Sequence, residues 1–209
     1  FGVYVGSGIG GINTFVNECT KMNEEGANRV SPLFIPMLIS NIAAGNIAIS
    51  HKAEGPCLPV VTACATSTHA IGEAYRAIKH GYADAIIAGG SEAAITPLAV
   101  GGFMNSKALS KSTDPLKASL PFDAERGGFV MGEGAGIVIL EEYEHAVARG
   151  AEIIAEVCGY GNTCDAYHVT APRPDGKTQA AAIRQALDEA GYTSDDVLYI
   201  NAHGTGTAL

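Results

Sequence analysis

The chain has 209 residues, 47% of them hydrophobic, which is enough to bury a core and places it among soluble globular proteins of one or two domains. Its 13 basic and 22 acidic residues give a formal net charge of -9, and no basic stripe stands out, which argues against nucleic acid as a partner. No apolar run is long enough to cross a membrane. Five cysteines, an odd number without paired spacing, argue against a disulfide framework or a metal site and for reduced thiols in the cytoplasm.

The first apolar run, residues 1–6, reads as a buried strand rather than a signal peptide. It ends in the turn Gly6-Ser7-Gly8-Ile9-Gly10-Gly11, and a helix is predicted from there to about Glu25. Pro36 opens a second predicted helix through Ile49, in which Ala43, Ala44 and Gly45 allow close packing. Leu58 to Thr62 is a short β-rich run. A helix then spans Cys64 to His80: Ala70, Ile71, Ala74, Ala77 and Ile78 recur at helical spacing, and Gly81 suits the position just past the end. Asp84 to Ala88 follows as a strand, ended by Gly89-Gly90. Run, helix and strand together make a βαβ unit, which implies a parallel pair with a right-handed crossover.

Thr96 to Arg126, with Pro97, Pro115 and Pro121, reads as a long irregular stretch of the kind that carries function or packs over a neighbour. Strands are expected at Gly136 to Glu141 and Ile153 to Tyr160, with a helix between them at Glu142 to Arg149. Thr178 to Ala190 is a helix closed by Gly191, and Val197 to Ala202 is the last strand. The alternation is that of an α/β protein. The chain opens inside a strand and closes just past one, so it reads as a fragment.

Three segments carry chemistry. In Val60-Val61-Thr62-Ala63-Cys64-Ala65-Thr66-Ser67 a cysteine stands where a strand hands over to a helix. Unpaired backbone N–H groups and the helix dipole favour a thiolate there, and Ala63 and Ala65 leave room for a substrate. A buried structural cysteine is the alternative on local chemistry. In Asn201-Ala202-His203-Gly204-Thr205-Gly206-Thr207 a histidine leaves a strand end, where ligands collect in α/β sheets; a core histidine bonded to a carbonyl is the reading that local chemistry alone slightly favours. The glycines of Phe122 to Gly136 precede a strand instead of following one, so they do not form a dinucleotide loop. A turn packed beside an active site fits better.

Together and in this order, these segments resemble the β-ketoacyl-acyl carrier protein synthases, closest to the type II elongation enzymes of fatty-acid synthesis. Gly90-Ser91-Glu92 and Asp165-Ala166-Tyr167-His168 match as well, and the resemblance runs over essentially the whole chain. It implies the thiolase fold, a five-layer α-β-α-β-α sandwich, incomplete in this chain. Residues 1–152 would be the later part of the N-terminal half, and 153–209 the opening of the C-terminal half.

The resemblance also implies roles. Cys64 would take an acyl chain from acyl carrier protein, and decarboxylated malonyl carrier protein would extend it. His203 matches the first of two catalytic histidines; the second histidine and one oxyanion donor fall beyond Leu209 in the family, so this segment alone is not expected to condense. Thr205 and Thr207 match residues that bond the phosphopantetheine arm, with Thr170 near that channel. Ile9 matches a gate for acyl-chain length and Phe129 a phenylalanine beside the nucleophile. Arg29 and Lys107 match positions near the carrier-docking face. No bound cofactor is implied, since phosphopantetheine arrives on the carrier. The family is homodimeric, with Leu58 to Thr62 as the candidate dimer edge. Asp165 and His168 are read as loop residues, and His51, His69, His80 and His145 as solvated or capping. A polyketide ketosynthase domain and a non-catalytic chain-length partner subunit remain as alternatives, the second disfavoured by Cys64.

Overall fold

The computed structural model describes residues 1–208. Its elements, in chain order, are β1 (Gly2–Gly6), α1 (Ile12–Glu25), α2 (Phe34–Leu38), α3 (Ile42–His51), α4 (Thr66–Lys79), β2 (Ala85–Glu92), α5 (Pro97–Asn105), β3 (Gly134–Glu141), α6 (Tyr143–Ala148) and α7 (Lys177–Ala190). They divide into two units. The first comprises Phe1–Gly8, Ala43–Gly90 and Gly136–Ile200; the second comprises Ile9–Ile42, Ser91–Ala135 and the residues from Asn201 on.

A sheet of order β1-β2-β3 centres the first unit. β1 and β2 are parallel, with Gly2 opposite Ile86 and Gly6 opposite Gly90. Glu142, just past β3, donates to the carbonyl of Asp84, just before β2 (2.8 Å), and Gly89 faces Gly136. Those two contacts run in opposite senses, so β3 is antiparallel to β2. Alternation along β1 sends Tyr4 to one face and Val3 and Val5 to the other. Tyr4, Ile86 and Ala88 pack on Ala70, Ala74 and Ala77 of α4. Val3 and Val5 pack on Ala44 of α3. Helices therefore cover both faces, and small residues let α4 lie close. Its end is closed by His80, by Gly81 at φ +75°, and by bonds from Gly81 to Ile78 and from Tyr82 to Ala77 (both 2.9 Å), the pairing of a Schellman motif.

Several expectations are corrected. The parallel partner of β2 is β1, not the Leu58 to Thr62 run, which forms no strand; just before it, Cys57 bridges to Val3 of β1. The helix expected from Pro36 to Ile49 is two helices. The chain is extended at Ile39 (ψ 139°), and Gly10 and Gly11 press on the backbone of Met37, Leu38 and Ser40. α4 starts at Thr66, and Cys64 lies in the preceding 3-10 turn. The stretch read as irregular contains α5, which Thr96 caps through its Oγ1 to Ala99 N–H (3.0 Å), with Pro97 in the first turn. β2 runs on through Gly89-Gly90 to Glu92.

Residues 153–160 and 197–202 are not strands. A strand needs a neighbour for its N–H and C=O groups, and the later part of the 153–160 run takes α7 as its neighbour instead. Gly159 and Gly161 lie on the α7 backbone at Ala186 and Ala182. Tyr160 N–H donates to Glu189 (3.0 Å) and Asn162 N–H to Gln185 (3.2 Å).

Candidate active site

Cys64 belongs to the first unit and is exposed. The chain turns sharply around it: Thr62 is near-extended in φ (-140°), Ala63 is left-handed at φ +51°, and α4 begins two residues past the cysteine. A side chain at positive φ costs on the order of 1–2 kcal/mol, so the turn must be held. Ala65 N–H donates to Thr62 O (3.1 Å), and Thr62 N–H donates to Thr66 Oγ1 (2.9 Å). Thr66 is buried at 4% exposure. Ala65, the N-cap of α4, offers no side chain to the first-turn N–H groups, which leaves the positive helix end beside Cys64 without a side-chain cap.

His203, Thr205, Thr207, Phe129 and Ile9 belong to the second unit. His203 is exposed on an irregular segment, not at a strand end. That segment is strapped to the Gly-rich stretch singled out in the sequence. Gly128 N–H donates to Gly206 O (2.8 Å), and Arg126 sends Nε to Thr207 O and Nη2 to Ala208 O (both 2.9 Å). Gly206 is buried at φ +76° with little room for a Cβ beside Gly128 O (3.1 Å). The Thr205 and Thr207 hydroxyls bond each other at 2.9 Å. Phe129 is half-buried and edge-on to Phe103, with ring centroids 5.2 Å apart. Its backbone exchanges bonds with Ala108 and Ser110 (3.0 and 2.9 Å). Ile9 is 43% exposed, and its N–H donates to the Glu92 carboxylate (3.1 Å).

Thr170 lies in the first unit, apart in assignment from Thr205 and Thr207. Its N–H and that of Ala171 donate to His168 Nδ1 (3.1 and 3.0 Å). Asp165 accepts from the Thr178 hydroxyl, Arg173 N–H and Gln179 Nε2; these bonds, that of Thr178 foremost, hold its carboxyl below the usual range. Asp165 and His168 thus staple their loop through separate partners, His168 to two backbone N–H groups and Asp165 to one backbone N–H and two side chains. His69 departs from expectation: it packs edge-on to Tyr160, centroids 6.1 Å apart. Arg29 is exposed and ion-paired with Glu25 (3.1 Å). Lys107 is exposed at φ +61° just past α5. Among the described residues no cluster of His, Cys, Asp or Glu is arranged to hold a metal, and no helix is long and apolar enough to cross a membrane.

Sequence reading named Ala63 only as room for a substrate and missed what Thr66, Arg126 and Glu92 bond. All four lay in motifs it singled out, but the partners of the last three are main-chain atoms, which a sequence does not display.

The β-ketoacyl synthase N-terminal domain matches residues 1–146, and the β-ketoacyl synthase C-terminal domain matches 154–209. A 3-oxoacyl-[acyl-carrier-protein] synthase 2 from Synechocystis is 54% identical over 99% of this chain and 50% of its own length. One from Staphylococcus aureus is 52% identical over 100% of this chain and 52% of its own. The chain therefore spans about half the length of the curated relatives it matches. Two solved structures superimpose closely. One is a type II PKS acyl-carrier protein in complex with its ketosynthase bound to the hexaketide, at TM-score 0.94 and 37% identity, covering 100% of this chain and 53% of that one. The other is a β-ketoacyl synthase from Burkholderia phymatum, at TM-score 0.91 and 37% identity, covering 99% and 50%. The α/β fold is thus that of the ketosynthases.

Proposed function

Because the chain belongs to the β-ketoacyl synthase family, we propose that it is part of a 3-oxoacyl-acyl carrier protein synthase whose nucleophile is Cys64. The observation that carries this is an exposed cysteine just past a left-handed residue at the start of α4. The Cys64 thiolate attacks the thioester carbonyl of an acyl carrier protein. The carbon–sulfur bond to phosphopantetheine breaks, the carrier thiol takes up a proton, and the acyl chain stays on Cys64. The Cys64 backbone N–H supplies one donor to the oxyanion, the other lying beyond Leu209 in the family. Malonyl carrier protein then loses carbon dioxide, its enolate attacks the acyl–Cys64 carbonyl, and the thiolate leaves. The His203 imidazole donates to the malonyl carbonyl as enolate charge develops.

The same proposal assigns Thr205, Thr207 and Thr170 to the phosphopantetheine path, Phe129 to the malonyl position and Ile9 to the acyl gate. The paired hydroxyls of Thr205 and Thr207 support the first of these. The chain carries a net charge of -9, so an acidic carrier needs a local basic patch, for which Arg29 and Lys107 are the candidates. A cytoplasmic homodimer, paired along Leu58 to Thr62, completes the reading, with its halves divided at 152/153.

The test is acylation of the full-length protein by labelled acyl carrier protein, followed by mass mapping. The label is expected on the Cys64 peptide and absent from Cys64→Ala; label taken up by Cys64→Ala overturns the reading. A polyketide ketosynthase is the second reading, favoured by the TM-score of 0.94 to such an enzyme. Offering saturated and unreduced 3-oxoacyl primers separates the two, because a polyketide enzyme must extend the unreduced chain.

A further inference from the structure

We infer that Thr66 is a positioning residue for Cys64: its hydroxyl holds closed the turn that presents the sulfur. This rests on Cys64 being the nucleophile. Thr66 Oγ1 accepts the N–H of Thr62 (2.9 Å), so the bond closes the turn from Thr62 to Thr66 with Cys64 at its middle. Inside that loop Ala63 sits at φ +51°, a conformation that relaxes unless something over-determines it. The hydroxyl is fixed in turn. Thr66 is 4% exposed, and its Cγ2 methyl fills the space where a side chain on Gly6 would be. Rotating the side chain would drive the methyl off Gly6 and the oxygen off Thr62 together. Thr62 itself is exposed, so without the hydroxyl its N–H turns to water, the turn loses its closure, and Ala63 and Cys64 move with it.

The prediction separates the hydroxyl from the methyl. In the full-length protein, Thr66→Ser keeps the oxygen, Thr66→Val keeps the shape, and Thr66→Ala keeps neither. Thr and Ser proteins should share a fast rate of Cys64 acylation by acyl carrier protein. Val and Ala proteins should be slower by on the order of tenfold, the worth of one net hydrogen bond, with the loss in kcat and KM for the carrier substrate unchanged. The Ser and Ala pair keeps the comparison available if Val does not fold. Equal rates with and without the hydroxyl overturn the proposal, as does a loss that follows melting temperature instead of the oxygen. Cys64→Ala serves as the control: label persisting there sinks the nucleophile assignment, whereas label lost there with a normal Val protein sinks only the role of Thr66.

Discussion

Gly6 and Gly90 lie opposite each other on paired parallel strands, and each gives up its side-chain space to a successive residue at the start of α4. The place of a Gly6 Cβ is taken by Thr66 Cγ2 and Val60 O, and that of a Gly90 Cβ by Ser67 Oγ. The helix that follows Cys64 is therefore seated directly on sheet backbone. The two sites differ in what surrounds them: main-chain oxygen and a buried methyl at Gly6, chiefly the end of a short side chain at Gly90.

Gly6→Ala should accordingly cost more than Gly90→Ala. Overpacking against atoms that cannot step aside costs about 1–3 kcal/mol, and Gly6 belongs at the upper end. Ser67→Ala should recover much of the Gly90→Ala loss, because it removes the oxygen in the way, and nothing at Gly6. Urea denaturation of wild type, the three single variants and the two double variants with Ser67→Ala, analysed as double-mutant cycles, checks this; equal losses at the two glycines would contradict the seating.

Gly72 makes a second test, with a sign that helix propensity alone gets wrong. It lies inside α4, where Gly→Ala ordinarily stabilises by about 1 kcal/mol. Here the Tyr160 ring occupies the place of the Cβ, held between His69 at its edge and the Arg76 guanidinium 4.5 Å from its centroid. Gly72→Ala should therefore lower the denaturation midpoint in the wild-type background and raise it in a Tyr160→Ala background.

This contact also marks the limit of what the sequence disclosed. The 3.6-residue recurrence of Ala70, Ala74 and Ala77 was legible because a helix face against a sheet imposes it. Gly81 and Gly191 as helix ends were legible because the left-handed conformation selects glycine. Ala63 defeats that rule: its backbone is left-handed although its residue type does not select that conformation. Apolar content suggested strands at 153–160 and 197–202, yet strands exist only by pairing, and a single sequence does not name the partner. The Cys64 segment was readable as a site from its neighbours, but the hydroxyl that closes its turn was not, since its bond is to a main-chain N–H.

Glu141 sets an acid limit on stability. Its side chain is 10% exposed. The Arg149 guanidinium forks onto both carboxylate oxygens at 2.7 and 2.6 Å, and His145 Nδ1 lies 2.5 Å away. Arg149 chiefly, and His145 with it, hold the carboxyl down at about 2 against an ordinary 4.5, with burial opposing. A carboxyl depressed in the folded state contributes stability that is fully present above about 4.5 and is lost as pH falls through about 2. The advantage of wild type over Glu141→Gln should therefore be flat above pH 4.5 and vanish near pH 2. Denaturation midpoints across that range decide it; an advantage that persists at pH 2, or falls off between pH 6 and 7, would show that this ion pair is not the source.

His203 allows the two stages of the proposed reaction to be pulled apart. Its imidazole stands on a segment held by Arg126 and Gly128 through main-chain bonds, so removing the ring should leave the segment in place. Nothing in the first stage needs that ring, because acyl transfer uses the Cys64 sulfur and backbone donors. The second stage does, because charge develops on the malonyl carbonyl only as carbon dioxide departs. His203→Ala in the full-length protein should therefore load label from acyl carrier protein at close to the wild-type rate. Decarboxylative condensation should fall by roughly 10²–10³-fold, the usual cost of deleting one donor to a developing oxyanion. Labelled acyl–enzyme should then accumulate where wild type turns it over. If loading and condensation fall together, His203 acts on the fold or on the sulfur, and the enolate role is wrong.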